Sequence, residues 1–285
     1  MSVRKTALLR RALRRGCLAI PGAFNAATAR LIEKTGFPAV YVSGAGLANA
    51  AAGVPDVGLL TLTEVAQLAG YIARAVKIPA IVDADTGFGG PENVTRTVQE
   101  FERAGLAGLH MEDQSFPKRC GHVEGKTLIP AREMAAKIKL AVSAKKDRDF
   151  LIIARTDVRS IEGFDATVER ARLYVEAGAD AIFPEALETV AEFKTFAKKV
   201  KAPLLANMTE FGKSPLLSIK ELTRMGYKMA IFPQTCFRAA MHTEENCLRD
   251  LKKRGTQKSW LKKMQPRKEL YNLLGYNPMS VWKNS

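Results

Sequence analysis

Cysteine, histidine and tryptophan are scarce in this chain of 285 residues, at four, three and two copies. The cysteines Cys17, Cys120, Cys236 and Cys247 fall at spacings that match no zinc-ligand pattern. With 47% hydrophobic residues the chain has ample material for a core, and it needs no disulfide framework. Reduced thiols in a cytoplasmic protein are the expectation. Also missing is the run of about 18 apolar residues that a membrane span requires. The most apolar stretch, residues 39–54, is broken by Ser43, Asn49 and several glycines. Repeats, low-complexity tracts and linkers are absent, which points to one large α/β domain.

Acidic residues are missing from the two ends. Residues 1–15 carry six Lys/Arg and no acid, and residues 249–268 carry nine Lys/Arg and only Asp250. Residues 16–248 hold 28 bases and 27 acids, so the net charge of +15 belongs to the ends. Such runs are usually solvated helix faces. A nucleic-acid footprint would bring exposed aromatics or a recognisable module, and neither occurs. Nucleic acid and membrane are therefore not expected as partners. The Arg-rich, acid-free start has the composition of a transit peptide. A structural helix over residues 1–16, covering the base of the domain, is the preferred reading.

Eight short runs rich in Val, Ile, Leu and Ala recur, as in buried parallel strands. They are Cys17–Ile20, Ala39–Val42, Ala80–Val82, Gly108–Met111, Leu151–Ala154, Ala181–Phe183, Leu204–Ala206 and Met229–Phe232. Helical patterns separate most of them. One is entered through Thr61 and Glu64, a capping signal, and several end in glycine, at Gly36, Gly105, Gly178 and Gly226. Eight strands alternating with helices predict an α/β (β/α)8 TIM-type barrel over residues 17–254. Residues 255–285 are read as a helical tail with an extended end.

The residues after each run carry charge. Strand two leads into Ser43-Gly44-Ala45-Gly46, strand three into Asp83-Ala84-Asp85, strand four into Glu112-Asp113 and strand five into Arg155-Thr156-Asp157. Strand six leads to Glu185, strand seven to Asn207-Met208-Thr209, and strand eight to Gln234 and Arg238. In such barrels these ends form the active-site mouth. Asp83 and Asp85, two apart, are expected on one side of the strand end. With Glu112 nearby, an all-oxygen carboxylate set suits Mg²⁺. Arg155 and Arg238 suit carboxylate binding. The small-residue turn after Ser43 offers backbone N–H groups to an anion.

Lys118-Arg119-Cys120-Gly121-His122 lies in a long connection, residues 114–129, of the kind that forms active-site lids. The flanking cations are expected to favour the Cys120 thiolate. These residues, with Glu112-Asp113-Gln114, Asp83-Ala84-Asp85-Thr86-Gly87-Phe88-Gly89 and Asn207-Met208-Thr209-Glu210-Phe211-Gly212, resemble the isocitrate lyase/phosphoenolpyruvate mutase superfamily. The closest likeness is to its 2-methylisocitrate lyases, and it covers essentially the whole chain. Ala45 stands where glycine is common, and Val123-Glu124-Gly125 replaces a common Arg-Pro-Asn.

The resemblance implies Mg²⁺-dependent cleavage of 2-methylisocitrate to pyruvate and succinate, in propionate catabolism through the methylcitrate cycle. It implies that Asp83 and Asp85 hold the metal, with Asp56 and Glu112 supporting it through waters. Ser43, Gly44, Ala45, Cys120, Gly121, His122, Arg155, Glu185, Asn207, Thr209, Arg238 and Arg267 would bind the tricarboxylate. Cys120 would be the general acid, and Tyr41 is a candidate base. A homotetramer exchanging C-terminal helices is also implied. The alternatives are a sister enzyme acting on isocitrate or oxaloacetate, a covalent role for Cys120, and a basic RNA- or membrane-surface-binding protein.

Overall fold

The computed structural model describes residues 3–277. The expected extended end, from residue 278 on, lies outside the described residues. The strands are β1 (Leu18–Ala23), β2 (Val40–Val42), β3 (Ala80–Asp83), β4 (Gly108–Glu112), β5 (Leu151–Thr156), β6 (Ala181–Pro184), β7 (Leu205–Asn207) and β8 (Met229–Phe232). All seven pairings between them are parallel, in the order β6-β5-β4-β3-β2-β1-β8-β7. A parallel bridge between Ile182 and Leu204 joins the two ends of that order, so the sheet closes into a barrel.

The helices are α1 (Lys5–Leu13), α2 (Ala26–Lys34), α3 (Gly44–Leu47), α4 (Leu62–Ala75), α5 (Pro91–Arg103) and α6 (Ala131–Ala144). Then come α7 (Arg159–Glu162), α8 (Phe164–Glu176), α9 (Val190–Lys199), α10 (Ile219–Met225), α11 (Thr235–Arg254) and α12 (Arg267–Leu274). Their ends use the expected chemistry. Thr61 and Glu64 form a reciprocal capping box, as do Ser218 and Glu221. Gly36, Gly105, Gly178 and Gly226 all take the positive φ that stops a helix without steric cost.

Alternation along the strands divides the core in two. One set, including Val40, Val42, Val82, Leu109, Ile152 and Ile182, faces outward and packs under the helices. The other, including Ile20, Tyr41, Ile81, Ile153, Phe183 and Ile231, fills the barrel interior. Leu9 and Leu13 of α1 join that interior set, so α1 caps the N-terminal base of the barrel. The basic residues of α1 are not all solvated. Arg4 pairs with Asp147 and Asp149, and Arg10 with Asp180 at 2.7 Å. The face is nevertheless largely solvated as expected, since Arg4, Arg11, Arg14 and Arg15 are exposed.

At the other end of the chain, α11 leaves the barrel without burying any residue. Met241, Leu248 and Leu251 stand exposed on it. Among the described residues no helix is long and apolar enough to cross a membrane.

Candidate active site

The ends of β2 to β7 all contribute side chains to the C-terminal mouth. The strands run one or two residues past the apolar runs read from sequence, so Asp83, Glu112, Arg155, Thr156 and Asn207 are strand residues, with ladder geometry to aim them. Asp85 is different. It lies beyond the end of β3 with φ 45°, and its backbone N–H donates to Asp83 Oδ1 at 3.0 Å. The pair converges through a tight turn, not through the strand alternation that the spacing suggested. Gly44 is required beside it, because a Cβ there would lie 2.9 Å from Asp83 Oδ2. Ser43, the N-cap of α3, accepts from Gly46 N at 3.1 Å, so the turn's first N–H groups, those of Gly44 and Ala45, precede the helical ladder.

Below the carboxylates, inside the barrel, Tyr41 Oη lies 2.8 Å from His110 Nε2 and 3.4 Å from Asp83 Oδ2. Burial, with Asp83 adding to it, raises the Tyr41 phenol well above its usual range. Burial lowers the His110 imidazole, which is therefore neutral. Sequence reading missed His110 because it sits in an apolar run. The available signal was its spacing of two from Glu112, which puts both on the interior face.

On one side of the mouth the cation among the carboxylates is a lysine. Lys118 pairs with Asp56 and, at 2.7 Å, with Asp85. Burial pushes Asp85 up to about 6, with Lys118 opposing. Burial also lifts Glu112 well above the carboxylate range. Asp85 Oδ1 and Glu112 Oε2 are met by the ion pairs with Lys118 and Arg155 alone, and Glu112 Oε1 is buried with no hydrogen bond. Among the described residues no three acidic, histidine or cysteine side chains are drawn into a preformed metal cage. Buried carboxylate oxygens lacking hydrogen bonds nevertheless fit a hard divalent cation, which takes one or two carboxylates and fills its remaining positions with water or substrate.

On the other side Arg155 is the hub. Its guanidinium grips Asp157 with two bonds of 2.9 and 3.0 Å, reaches Glu112 at 3.0 Å and Glu185 at 3.5 Å, and lies 5.2 Å from the centre of the Phe183 ring. Asn207 Nδ2 donates to Glu185 at 3.1 Å, while Asn207 Oδ1 is buried without a partner. Burial works against the Glu185 carboxylate, but Arg155 and His122 hold it well below the usual range.

The lid closes over this cluster. Gln114 bridges antiparallel to Leu128, and its side chain bonds both the N–H and the carbonyl of Arg119 at 2.8 Å. His122 Nδ1 accepts from Lys213 N at 3.0 Å, which leaves Nε2–H to meet Glu185 at 3.0 Å. Gly121 presses directly on the cluster, and a methyl there would overlap Glu185, Arg155 and Asp157. Cys120 is exposed as a residue, yet its sulfur sits close enough to the mouth to lose hydration. That desolvation raises the thiol, and the charge of Glu185 adds to the rise. The expected thiolate is thus corrected to a thiol. Lys118 is turned into the carboxylates, and Arg119 faces Glu124 on the exposed side.

Tyr41, Ser43, Gly44, Asp56, Asp83, Asp85, Glu112, Cys120, Gly121, His122, Arg155, Glu185 and Asn207 all meet at this mouth. Thr209 lies beside Gly212, under His122. Arg238 is on the rim, half exposed, 3.9 Å from Glu210 and 5.5 Å from the Phe211 ring centre. Arg267 opens α12, is exposed, and is not brought to the cluster of its own chain.

Residues 9–252 match the family described as phosphoenolpyruvate phosphomutase. The chain is 53% identical to the 2-methylisocitrate lyase of Aeropyrum pernix, over 93% of this chain and 85% of that protein. It is 45% identical to the Escherichia coli 2-methylisocitrate lyase, over 91% and 88%. Among solved structures, a 2,3-dimethylmalate lyase of the PEP mutase/isocitrate lyase superfamily superposes with a TM-score of 0.91 at 34% identity, over 96% of this chain and 93% of that one. A phosphonopyruvate hydrolase in complex with oxalate and Mg²⁺ superposes with a TM-score of 0.89 at 31% identity, over 99% of each.

Proposed function

Since this chain belongs to the phosphoenolpyruvate mutase/isocitrate lyase family, we propose that its barrel mouth cleaves the C2–C3 bond of 2-methylisocitrate to pyruvate and succinate. The protein is a carbon–carbon lyase, in keeping with a role in propionate catabolism through the methylcitrate cycle. The observation that carries the assignment is the lid. It sets Cys120 and Gly121 over a mouth lined by Arg155, Glu185 and the buried carboxylates Asp85 and Glu112.

Asp83 and Asp85 hold Mg²⁺, and Asp56 and Glu112 support it through waters. The ion, when bound, supplies positive charge that polarises the hydroxyl and carboxylate oxygens of the substrate. Arg155 and the N–H groups after Ser43 carry carboxylate charge, with Gly44, Ala45, Gly121, His122, Glu185, Asn207, Thr209 and Arg238 completing the pocket. Tyr41 takes the C2 hydroxyl proton as its own phenolic proton passes to His110 Nε2, 2.8 Å away. As the C2–O bond becomes a carbonyl, the C2–C3 electron pair moves to C3 and into the adjacent carboxylate. Cys120 Sγ–H then delivers the proton that completes succinate. The closed lid keeps water from the carbanion.

The protein works as a cytoplasmic homotetramer in which α11 packs on a neighbour, while α12 stays on its own barrel, where Arg30 of α2 donates to the Leu273 carbonyl at 3.1 Å. Support for that exchange comes from α11, which touches its own barrel only through its start, where Phe237 meets Phe24, and exposes Met241, Leu248 and Leu251 beyond it. It also gives Arg267 a second chain to reach.

Pyruvate and glyoxylate release from 2-methylisocitrate and isocitrate, assayed side by side with Mg²⁺ and with EDTA, tests the reading. Metal-dependent pyruvate from the methylated substrate, well above glyoxylate from isocitrate, is expected. Glyoxylate in excess moves the assignment to a sister activity, and turnover unaffected by EDTA removes the metal.

A further inference from the structure

Lys126 belongs to the returning limb of the lid, next to Thr127, whose carbonyl takes the Ser115 N–H at 2.8 Å. Its side chain is almost wholly buried, at 1% exposure. The ammonium donates to the Gly121 carbonyl and lies 3.2 Å from Asp157 Oδ1. Asp157 is also gripped through both of its oxygens by Arg155, which it shares with Glu112 and Glu185. A long side chain has therefore been buried to meet one carboxylate and one backbone carbonyl. That carbonyl belongs to the Gly121–His122 peptide. In a trans peptide the C=O and the N–H point in opposite directions. The N–H of this unit, that of His122, favours the ionised Cys120 sulfur and so opposes its desolvation. The sequence of contacts is thus ammonium, carbonyl, amide N–H, sulfur.

We infer that Lys126 is a positioning residue for Cys120, acting through the Gly121–His122 peptide, which it both orients and polarises. A cation on the carbonyl strengthens the N–H as a donor on the far side of the same peptide. The N–H gains most from a sulfur carrying negative charge, so this contact favours the sulfur as its proton leaves for the carbanion. The inference deepens the reading of Cys120 as the acid and rests on it.

Iodoacetamide alkylation of Cys120, with peptide mass spectrometry from neutral to alkaline pH in EDTA, reads the thiol without turnover. Cys236 serves as the internal reference in the full-length protein. Several groups face the sulfur or lie beside it: His122, Glu185, Arg155 and Asp56 around the mouth, Asp157 behind them, and Lys118 and Arg119 on the lid. All are retained in the variants. In Lys126→Met the alkylation midpoint rises by about half to one unit, and kcat falls roughly tenfold with KM nearly unchanged. Lys126→Arg keeps both near wild type. A Lys126→Met midpoint equal to wild type overturns the inference and leaves Lys126 as a counter-ion of Asp157. Should that variant not fold, Lys126→Gln is read the same way: a raised midpoint supports the coupling and an unmoved one overturns it. If Cys120 proves not to be the acid, the alkylation shift still appears while the kcat effect vanishes, so the two failures are distinguishable.

Discussion

Replacing Cys120 by serine lowers kcat by about two to four orders of magnitude and leaves KM within a few-fold. The reason lies in which form of the side chain the structure maintains. Desolvation and Glu185 keep the thiol protonated, which is the state an acid needs before it acts. A serine hydroxyl at the same place is a far weaker acid, so protonation of the carbanion becomes slow while substrate binding persists. Cys120 is exposed on the lid and belongs to neither hydrophobic core, so the melting temperature stays close to wild type. Steady-state pyruvate release and thermal unfolding of the same preparation check both halves. Wild-type turnover in the serine variant would remove Cys120 from the chemistry. A stable adduct of substrate mass on Cys120 would instead make it a nucleophile.

Arg155→Met has the largest expected effect on stability. Removing one partner from a buried ion cluster costs about 3–5 kcal/mol, because the remaining charges stay desolvated. Here three carboxylates, Glu112, Asp157 and Glu185, lose their shared cation at once. Lys126 stays with Asp157 and His122 with Glu185, so each of those two keeps one partner in place of two, while Glu112, lifted well above the carboxylate range by burial, takes a proton. Urea unfolding is expected to show a much lower midpoint. The fraction that remains folded should lose activity at least about a hundredfold, since a guanidinium bound to a substrate carboxylate is also gone. Arg155→Lys recovers part of the stability but little activity, because an ammonium cannot reproduce the planar fork that holds Asp157 while reaching Glu112. A methionine variant with near-wild-type stability would mean that Lys126 and His122 suffice for Asp157 and Glu185.

The barrel was legible because its strands are buried on both faces and read as apolar runs, with capping residues and glycines marking the helix ends. Strand lengths were underestimated for one physical reason. The reading stopped where apolar character stopped, at Val82, Met111, Ala154 and Ala206, whereas backbone pairing continues through the first charged residue of the mouth. The ring of site residues was legible for the same reason, because each run ends in a polar group. Three features were not. His110 is a polar residue inside an apolar strand, and only its pairing with Tyr41 gives it meaning. Lys118 looked like a companion of the adjacent thiol, but its long side chain turns inward to Asp56 and Asp85. Lys126 carries no motif, and its relation to Gly121 exists only once the lid has folded back on itself.

The central claim is that a carbanion formed by C2–C3 cleavage is protonated by the lid thiol. Cleavage of 2-methylisocitrate in D2O, with the products read by NMR at early times in wild type and in Cys120→Ser, tests it most directly. The account predicts succinate carrying a single deuterium and unlabelled pyruvate from the wild type, with succinate formation strongly slowed in the serine variant. Unlabelled succinate, or labelled succinate formed equally fast without the thiol, would contradict it.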